Sequence, residues 1–122
     1  GVPDLIWSPE IAEHAQEWAD HLISQGCDMA ESRPDESYGE NIAVMWQDDS
    51  PQEVVDFWAE EKSSYDYNAN SCSADTCGHY TQIVWSSTEE IGCAKADCGN
   101  GMWTVWVCNY DPPGNWVGKR PY

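Results

Sequence analysis

The sequence predicts an α+β fold, a sandwich in which helices cover a mainly antiparallel sheet. Three observations predict it: two amphipathic helical stretches lie in the first half of the chain, alternating strand-like stretches lie in the second half, and six cysteines are spread over only 122 residues. An even number of cysteines in so short a chain is typical of a disulfide framework formed in an oxidising compartment. The spacings include no C-x-x-C pair, which disfavours a zinc–thiolate site. We expect one domain over residues 1–122.

The first helix is predicted from its start signals and its apolar stripe. Ser8 is placed to cap the helix, and Pro9 suits the first helical position. An apolar stripe follows at helical spacing, and Gly26 ends it. The stripe comprises Ile11, Ala15, Trp18 and Leu22.

A second helix is predicted to start at the capping box Ser50-Pro51-Gln52-Glu53. Val54 and Trp58 share its apolar face, which continues at three- and four-residue steps to Glu61 and Tyr65. The polar residues 28–40 before it, and the cysteine-bounded residues 65–78 after it, are predicted to be loops.

Three strands are predicted in the second half. Residues 81–85 alternate with a period of two, and residues 90–98 and 102–110 flank Gly99-Asn100-Gly101, a strong hairpin signal. A two-residue turn there would place Cys93 directly opposite Cys108, although a longer loop or a bulge would shift that register. Residues 112–122 form a tail rich in proline and glycine.

The charge of the chain excludes some partners. Acidic residues outnumber basic ones by 22 to 5, which gives a formal net charge of −17. A field of this sign repels phosphate backbones and anionic headgroups, so we expect no nucleic-acid partner. No apolar run approaches the ~20 residues that a membrane span needs, and we expect no transmembrane segment. With no signal peptide visible, we expect a processed or trimmed chain of a secreted protein.

Two stretches of this sequence resemble the signature motifs of a known family. "GHYTQIVW" at 78–85 and "VCNYDPPGNWVGKRPY" at 107–122 are similar to those of the CAP superfamily, which comprises cysteine-rich secretory proteins, antigen five and the pathogenesis-related class one proteins. "YGENIA", "VVDFWAEEKSSYDYN" and the cysteine positions resemble the plant class. The resemblance implies a three-layer α-β-α sandwich, secreted and monomeric, with an amphipathic helix ahead of "GVPDL". It also implies disulfides Cys27–Cys98, Cys72–Cys77 and Cys93–Cys108.

The resemblance further implies a cleft lined by two histidines and two glutamates. Glu40 and Glu61 stand at the glutamate positions and His79 at one histidine position, but Glu31 stands where the second histidine is expected. We therefore expect no cofactor and no metal, with His79 only a weak ligand. Oxygen ligands would favour calcium, magnesium or manganese over zinc.

The charge state of this cleft depends on where Glu31 points. Three carboxylates around His79 would favour its protonated form, a counter-ion rather than a ligand. Alternatively, Glu31 faces solvent, the other three residues line the cleft, and His79 is bonded to a carboxylate in a structural role.

By resemblance, we expect a non-enzymatic protein that binds sterols or fatty acids outside the cell in a defence or host-interaction setting. Tyr65 and Tyr67, in the loop that precedes His79, are the candidate contacts for the lipid; the alternative is that they only pack against the second helix.

Another possible function is that of a protein-interaction module or a precursor that releases residues 112–122 as a signalling peptide, cut after Asp111. Burial of Trp116 and Val117 would instead make the tail a structural clasp.

Two catalytic or metal-binding alternatives are disfavoured. A metal-dependent hydrolase lacks the second histidine, and Ser86 and Ser87 near His79 and Glu61 lack the glycine elbow of a serine hydrolase. A further group at helical spacing is interpreted as a solvated or half-buried flank of the first helix rather than a metal site: His14, Glu17 and His21.

Overall fold

Helices lie on both faces of a central sheet, which confirms the α+β prediction. The structure is a computed structural model and describes residues 4–27, 32–34, 36–99 and 101–122. The elements, in chain order, are β1 (Ile6–Trp7), α1 (Pro9–Ser24), β2 (Gly39–Trp46), α2 (Pro51–Ala59), a 3₁₀ helix (Glu60–Ser64), β3 (Tyr65–Asp66), β4 (Ser71–Cys72), α3 (Gly78–Ile83), β5 (Glu90–Asp97) and β6 (Trp103–Asp111). None of the helices in the described ranges is long and apolar enough to cross a membrane.

The central sheet has four strands in the order β1-β5-β6-β2. Strand β6 is antiparallel to both of its neighbours, and β1 runs parallel to β5. Within β5 and β6, Cys93 lies directly opposite Cys108, so the predicted register is confirmed. Asn100, the predicted turn residue, lies outside the described residues. Strands β3 and β4 form a separate two-stranded sheet.

The two faces of β6 are both buried, because a helical layer covers each of them. Helix α1 packs through Ala15, Ala19 and Leu22 on the face that carries Val105 and Val107. Helix α2 covers the opposite face, where two buried side chains, Val54 and Trp58, pack against Ala43, Trp106 and Tyr110. Since successive residues of a strand point to opposite faces, β6 contributes alternately to the two cores.

The predicted helix starts are confirmed. The Ser8 hydroxyl accepts a hydrogen bond from the backbone N–H of Ile11 at 3.2 Å. At the start of α2, Ser50 and Glu53 form the reciprocal capping box, each side chain accepting from the other residue's backbone N–H at 3.3 Å. Such caps satisfy amide groups that have no partner within the helix.

Three predictions differ from the structure, one being the loop predicted over residues 65–78, which contains the short strands β3 and β4. Strand β2 was not predicted, and its first residues fall within the stretch interpreted as a loop. The strand predicted at 81–85 is wrong, because Gly78–Ile83 forms the short helix α3. The Glu61 carboxylate accepts hydrogen bonds from the backbone N–H groups of His79 and Tyr80, and this contact stabilises the first turn. Six residues are too few to show a helical period.

All three implied disulfides are present, and no cysteine is free. Cys27–Cys98 links the segment after α1 to the residue that follows β5. Cys93–Cys108 crosses the centre of the sheet, and Cys72–Cys77 closes the loop between β4 and α3. The first two crosslinks connect the α1 layer to the end of β5 and β5 to β6, while the third is local to the loop ahead of α3.

Candidate functional site

A histidine–glutamate pair lies where α3 meets the 3₁₀ helix. His79 Nδ1 is 2.7 Å from Glu61 Oε2, while Glu61 Oε1 accepts from the backbone N–H groups of His79 at 2.9 Å and Tyr80 at 3.1 Å. Both carboxylate oxygens are therefore engaged. The Glu61 side chain is 18% exposed and the His79 side chain 31% exposed, so the pair is half-buried and the imidazole reaches solvent.

The surroundings of His79 fix its backbone and its ring. Asn41 donates from Nδ2 to the carbonyl oxygen of His79 and to the Tyr110 hydroxyl, both at 3.1 Å. The Trp58 ring is nearly parallel to the imidazole, with ring centroids 6.0 Å apart. The pair is thus attached to the central sheet through Asn41 and to α2 through Trp58.

Glu40, the third described residue of the predicted cleft, contacts the segment ahead of β2. Glu40 follows Gly39 in β2 and, by the alternation of the strand, lies on the same face as Ile42, whereas Asn41 faces α3. Its Oε2 accepts from the backbone N–H of Arg33 at 3.3 Å. Burial raises the pKa of Glu40, an effect that the hydrogen bonds from Arg33 and Ser32 oppose.

The predicted cleft is therefore described only in part. Glu61 and His79 are in direct contact, while Glu31 lies outside the described residues. The convergence of all four residues stays a prediction. In the part of the chain that the structure describes, no three His, Cys, Asp or Glu residues are grouped so as to hold a metal ion. Weak metal binding at His79 stays a prediction.

A second histidine–carboxylate pair lies on the α1 side of the sheet. His14 Nε2 is 3.0 and 2.9 Å from the two oxygens of Glu36, and Asn109 donates to Glu36 from below at 3.4 Å. Arg33 donates to the carbonyl oxygen of His14 at 3.2 Å and pairs with Glu17. The sequence pattern predicts a solvated or half-buried flank for His14 but not its pairing with Glu36, because no local pattern links a helix to a loop 22 residues away.

The candidate lipid-binding tyrosines belong to a cluster that includes the end of the chain. Tyr65 donates from its hydroxyl to Asn70 Oδ1 at 2.6 Å. Tyr67 stacks on Tyr122 with ring centroids 5.1 Å apart, and the hydroxyls of Tyr80 and Tyr122 are 3.0 Å apart. Burial and this hydroxyl contact raise the pKa of Tyr80 to about 12. Because Tyr65 bonds to Asn70 and Tyr67 stacks on Tyr122, these tyrosines do not pack only against the second helix.

The tail is attached to the body by polar contacts. Gly114 donates from its backbone N–H to Gln82 Oε1 at 3.0 Å, and Thr88 donates to the carbonyl oxygen of Pro112 at 2.8 Å. The backbone N–H of Ser86 donates to the carbonyl oxygen of Pro121 at 2.7 Å, and Pro121 is fully buried.

These contacts make the tail a structural clasp, but hydrogen bonds hold it rather than the predicted burial of Trp116 and Val117. Trp116 is 60% exposed and Val117 is 100% exposed, so burial of these two side chains is excluded.

An apolar cavity lies elsewhere among the described residues, between α2 and the β5–β6 half of the sheet. This apolar groove has a volume of about 520 Å³. Lys95 is the only cation in its lining, and its ammonium lies 5.3 Å from the centre of the Trp106 ring. The lining residues are Trp7, Pro51, Val54, Val55, Trp58, Ile91, Cys93, Ala94, Lys95, Trp106 and Cys108. Sequence analysis did not find this groove, because its lining comes from four separate segments.

Together the fold and the site define a disulfide-linked α-β-α sandwich with a histidine–glutamate pair beside its sheet. The family model described as "Cysteine-rich secretory protein family", CAP, matches residues 1–110. The chain belongs to the CAP family, as its motifs predicted.

The relatives similar to this chain include pathogenesis-related proteins of plants. Over 122 residues it is 43% identical to "Basic form of pathogenesis-related protein 1" of Nicotiana tabacum, which covers 100% of this chain and 67% of that protein. It is 42% identical to "Pathogenesis-related protein 1" of Arabidopsis thaliana, covering 100% of this chain and 73% of that protein. Among solved structures, venom allergen-like protein 4 of Schistosoma mansoni is 32% identical with a TM-score of 0.78, over 100% of this chain and 75% of that one.

Proposed function

We propose that this CAP domain works outside the cell by binding a sterol or another lipid, in a defence setting. The pathogenesis-related relatives support the setting. Three disulfides support an extracellular location, because such bonds persist in oxidising compartments.

The apolar groove is the observation that carries this proposal. Its volume of about 520 Å³ lies within the range of ~300–1,000 Å³ typical of small-molecule sites. Such sites combine an apolar lining with a few polar groups that orient the ligand. Here Trp7 and Val55 offer apolar contacts at the mouth, and Lys95 offers a single cation to a hydroxyl or carboxylate of the lipid.

Binding without catalysis is proposed from the bonding of Glu61. Both of its oxygens hold the first turn of α3 and the His79 ring, so a structural role accounts for the pair. To act as a general base, Glu61 would instead have to reach the proton that it abstracts from a substrate.

The test is a titration of a fluorescent sterol and a fluorescent fatty acid against matched variants. Val55→Asp adds a charge to the groove lining and is expected to weaken binding at least tenfold. Phe57→Asp makes the comparable change at an exposed position of the same helix that does not line the groove, and it should bind as the unaltered chain does. Equal affinity in all three proteins would contradict the groove assignment.

The groove has a second possible occupant, the amphipathic helix ahead of "GVPDL" that the resemblance implies. A chain extended at its amino terminus by such a helix distinguishes the two. If the extension abolishes lipid binding, the groove holds that helix and the lipid proposal fails. Retained binding that is still sensitive to Val55→Asp supports the lipid.

The tyrosine loop remains a second candidate position for the lipid. Tyr67 is 41% exposed, but Tyr122 covers part of its ring. Tyr65→Ala or Tyr67→Ala should weaken sterol binding if the loop is the mouth, and should leave it unchanged if the groove is.

The signalling-peptide alternative requires the tail to leave. Its bonds to Gln82, Thr88 and Ser86 oppose release from the folded chain. Mass spectrometry after incubation in extracellular fluid would show a fragment that begins at Pro112 if release occurs.

A further inference from the structure

The tail carries an exposed apolar turn. The backbone N–H of Lys119 donates to the carbonyl oxygen of Trp116 at 3.0 Å, and Gly118 adopts a φ of 78°. This geometry is that of a tight turn in which glycine supplies the positive φ. Val117 lies at its apex and is 100% exposed, next to Trp116 at 60%.

Aromatic and basic side chains continue this surface. Arg120 lies 5.6 Å from the centre of the Tyr67 ring, which stacks on Tyr122. Tyr67 is 41% exposed and Tyr122 47% exposed. We call this surface the aromatic tip; it comprises Tyr67, Trp116, Val117, Lys119, Arg120 and Tyr122.

The aromatic tip is held in place rather than loosely attached. Arg120 donates to the carbonyl oxygens of Tyr67 and Asn68 at 2.9 and 2.8 Å. On the other side of the turn, Asn115 donates to the carbonyl oxygen of Gly78 at 2.9 Å. These bonds keep Trp116 and Val117 exposed, and apolar area that stays in contact with water does not stabilise the fold.

The aromatic tip also differs in charge from the rest of the chain. It contains two of the five basic residues, while the whole chain carries −17. Exposed tryptophan and tyrosine beside lysine and arginine is the combination found where proteins meet lipid headgroups. At physiological ionic strength charges act over roughly 8 Å, so a surface that touches the tip senses Lys119 and Arg120, with Asp66 beside Tyr67, more strongly than the acids farther away.

We propose that the aromatic tip docks on the surface of a lipid bilayer. Val117 and Trp116 enter the headgroup region, and Lys119 and Arg120 face lipid phosphates. This goes beyond the proposed function, because docking needs no ligand in the apolar groove. It would bring a lipid-binding protein to the surface that holds its ligands.

The test is co-flotation of the full chain with sterol-free vesicles, made of phosphatidylcholine alone or with a minor fraction of phosphatidylserine. Val117→Asp has no buried contact to lose and should lower the bound fraction roughly fivefold to tenfold. Lys119→Glu should remove the gain that phosphatidylserine gives. Phe57→Asp, an exposed apolar residue of α2, should bind as the unaltered chain does.

Three flotation results would each overturn the proposal. The first is that the unaltered chain floats with neither vesicle. The second is that Val117→Asp floats as well as the unaltered chain. The third is that Val117→Asp and Phe57→Asp lose flotation equally. Self-association that Val117→Asp abolishes, without vesicle binding, would assign the tip to a contact between copies and would also overturn it. Because the vesicles hold no sterol, failure of the groove proposal leaves this test unaffected.

Discussion

Replacing both cysteines of one disulfide by alanine, for each of the three bridges in turn, separates their contributions to stability. Cys27–Cys98 spans 71 residues, Cys93–Cys108 spans 15 and Cys72–Cys77 spans 5. A crosslink restricts the unfolded chain more when it closes a longer loop. Loop-closure entropy gives losses of about 4, about 3 and about 2 kcal/mol, in that order.

The two longer bridges are the matched pairs for this comparison. Cys27–Cys98 and Cys93–Cys108 each join a buried cysteine to a partly buried one that packs against an apolar core. The cost of removing buried sulfur is therefore similar for these two, and their difference reports mainly on loop length, whereas Cys72–Cys77 lies outside both cores and has less packing to lose.

The measurement is urea unfolding followed by tryptophan fluorescence, with the free energy of unfolding extrapolated to water. We expect the Cys72→Ala, Cys77→Ala variant to retain about 2 kcal/mol more stability than the Cys27→Ala, Cys98→Ala variant. Thiol titration of the unfolded, unreduced parent should find no free thiol and serves as the control. An equal loss for both variants, or a larger one for the short bridge, would refute the loop-length argument.

Other predictions concern single side chains. Burial raises the pKa of Glu40, so the folded state holds its proton more tightly than the unfolded state, and ionisation costs stability as pH rises through the folded pKa. Glu40→Gln should therefore raise the melting temperature at pH 7 and change it little at pH 4; an equal change at both would contradict this. Tyr80 titrates near 12 when folded, so stability should fall above pH 10, and Tyr80→Phe should reduce that fall in alkaline urea titrations. Zinc binding near neutral pH should be weak by calorimetry and stronger in Glu31→His; tight binding by the unaltered chain that His79→Ala abolishes would refute this.

Local signals predicted those parts of the fold that local contacts stabilise. The caps at Ser8 and Ser50 fix the starts of α1 and α2, and both were read directly from the sequence. The β5–β6 register followed from the spacing of Cys93 and Cys108 around a turn signal. In each case the interacting groups lie close together in sequence.

The parts that were missed depend on distant contacts. Helix α3 forms because Glu61, from the preceding 3₁₀ helix, accepts its first amide hydrogens, and no alternation of apolar residues shows this. The pairing of His14 with Glu36 joins a helix to a loop. The resemblance identified Glu61 and His79 as neighbours, but the apolar groove and the tail contacts required three-dimensional information.

The position of β6 in the sheet has a consequence for biosynthesis. This strand joins β5 to β2, yet it follows every other strand of the sheet in chain order, at Trp103–Asp111. Until β6 is made, a nascent chain therefore carries α1 and β2 without the strand that completes their sheet. Cys27 meets Cys72 and Cys77 before its partner Cys98 exists, so early oxidation can pair it wrongly. We expect correct assembly only after Cys98 and β6 have been made, and faster where an isomerase reshuffles disulfides.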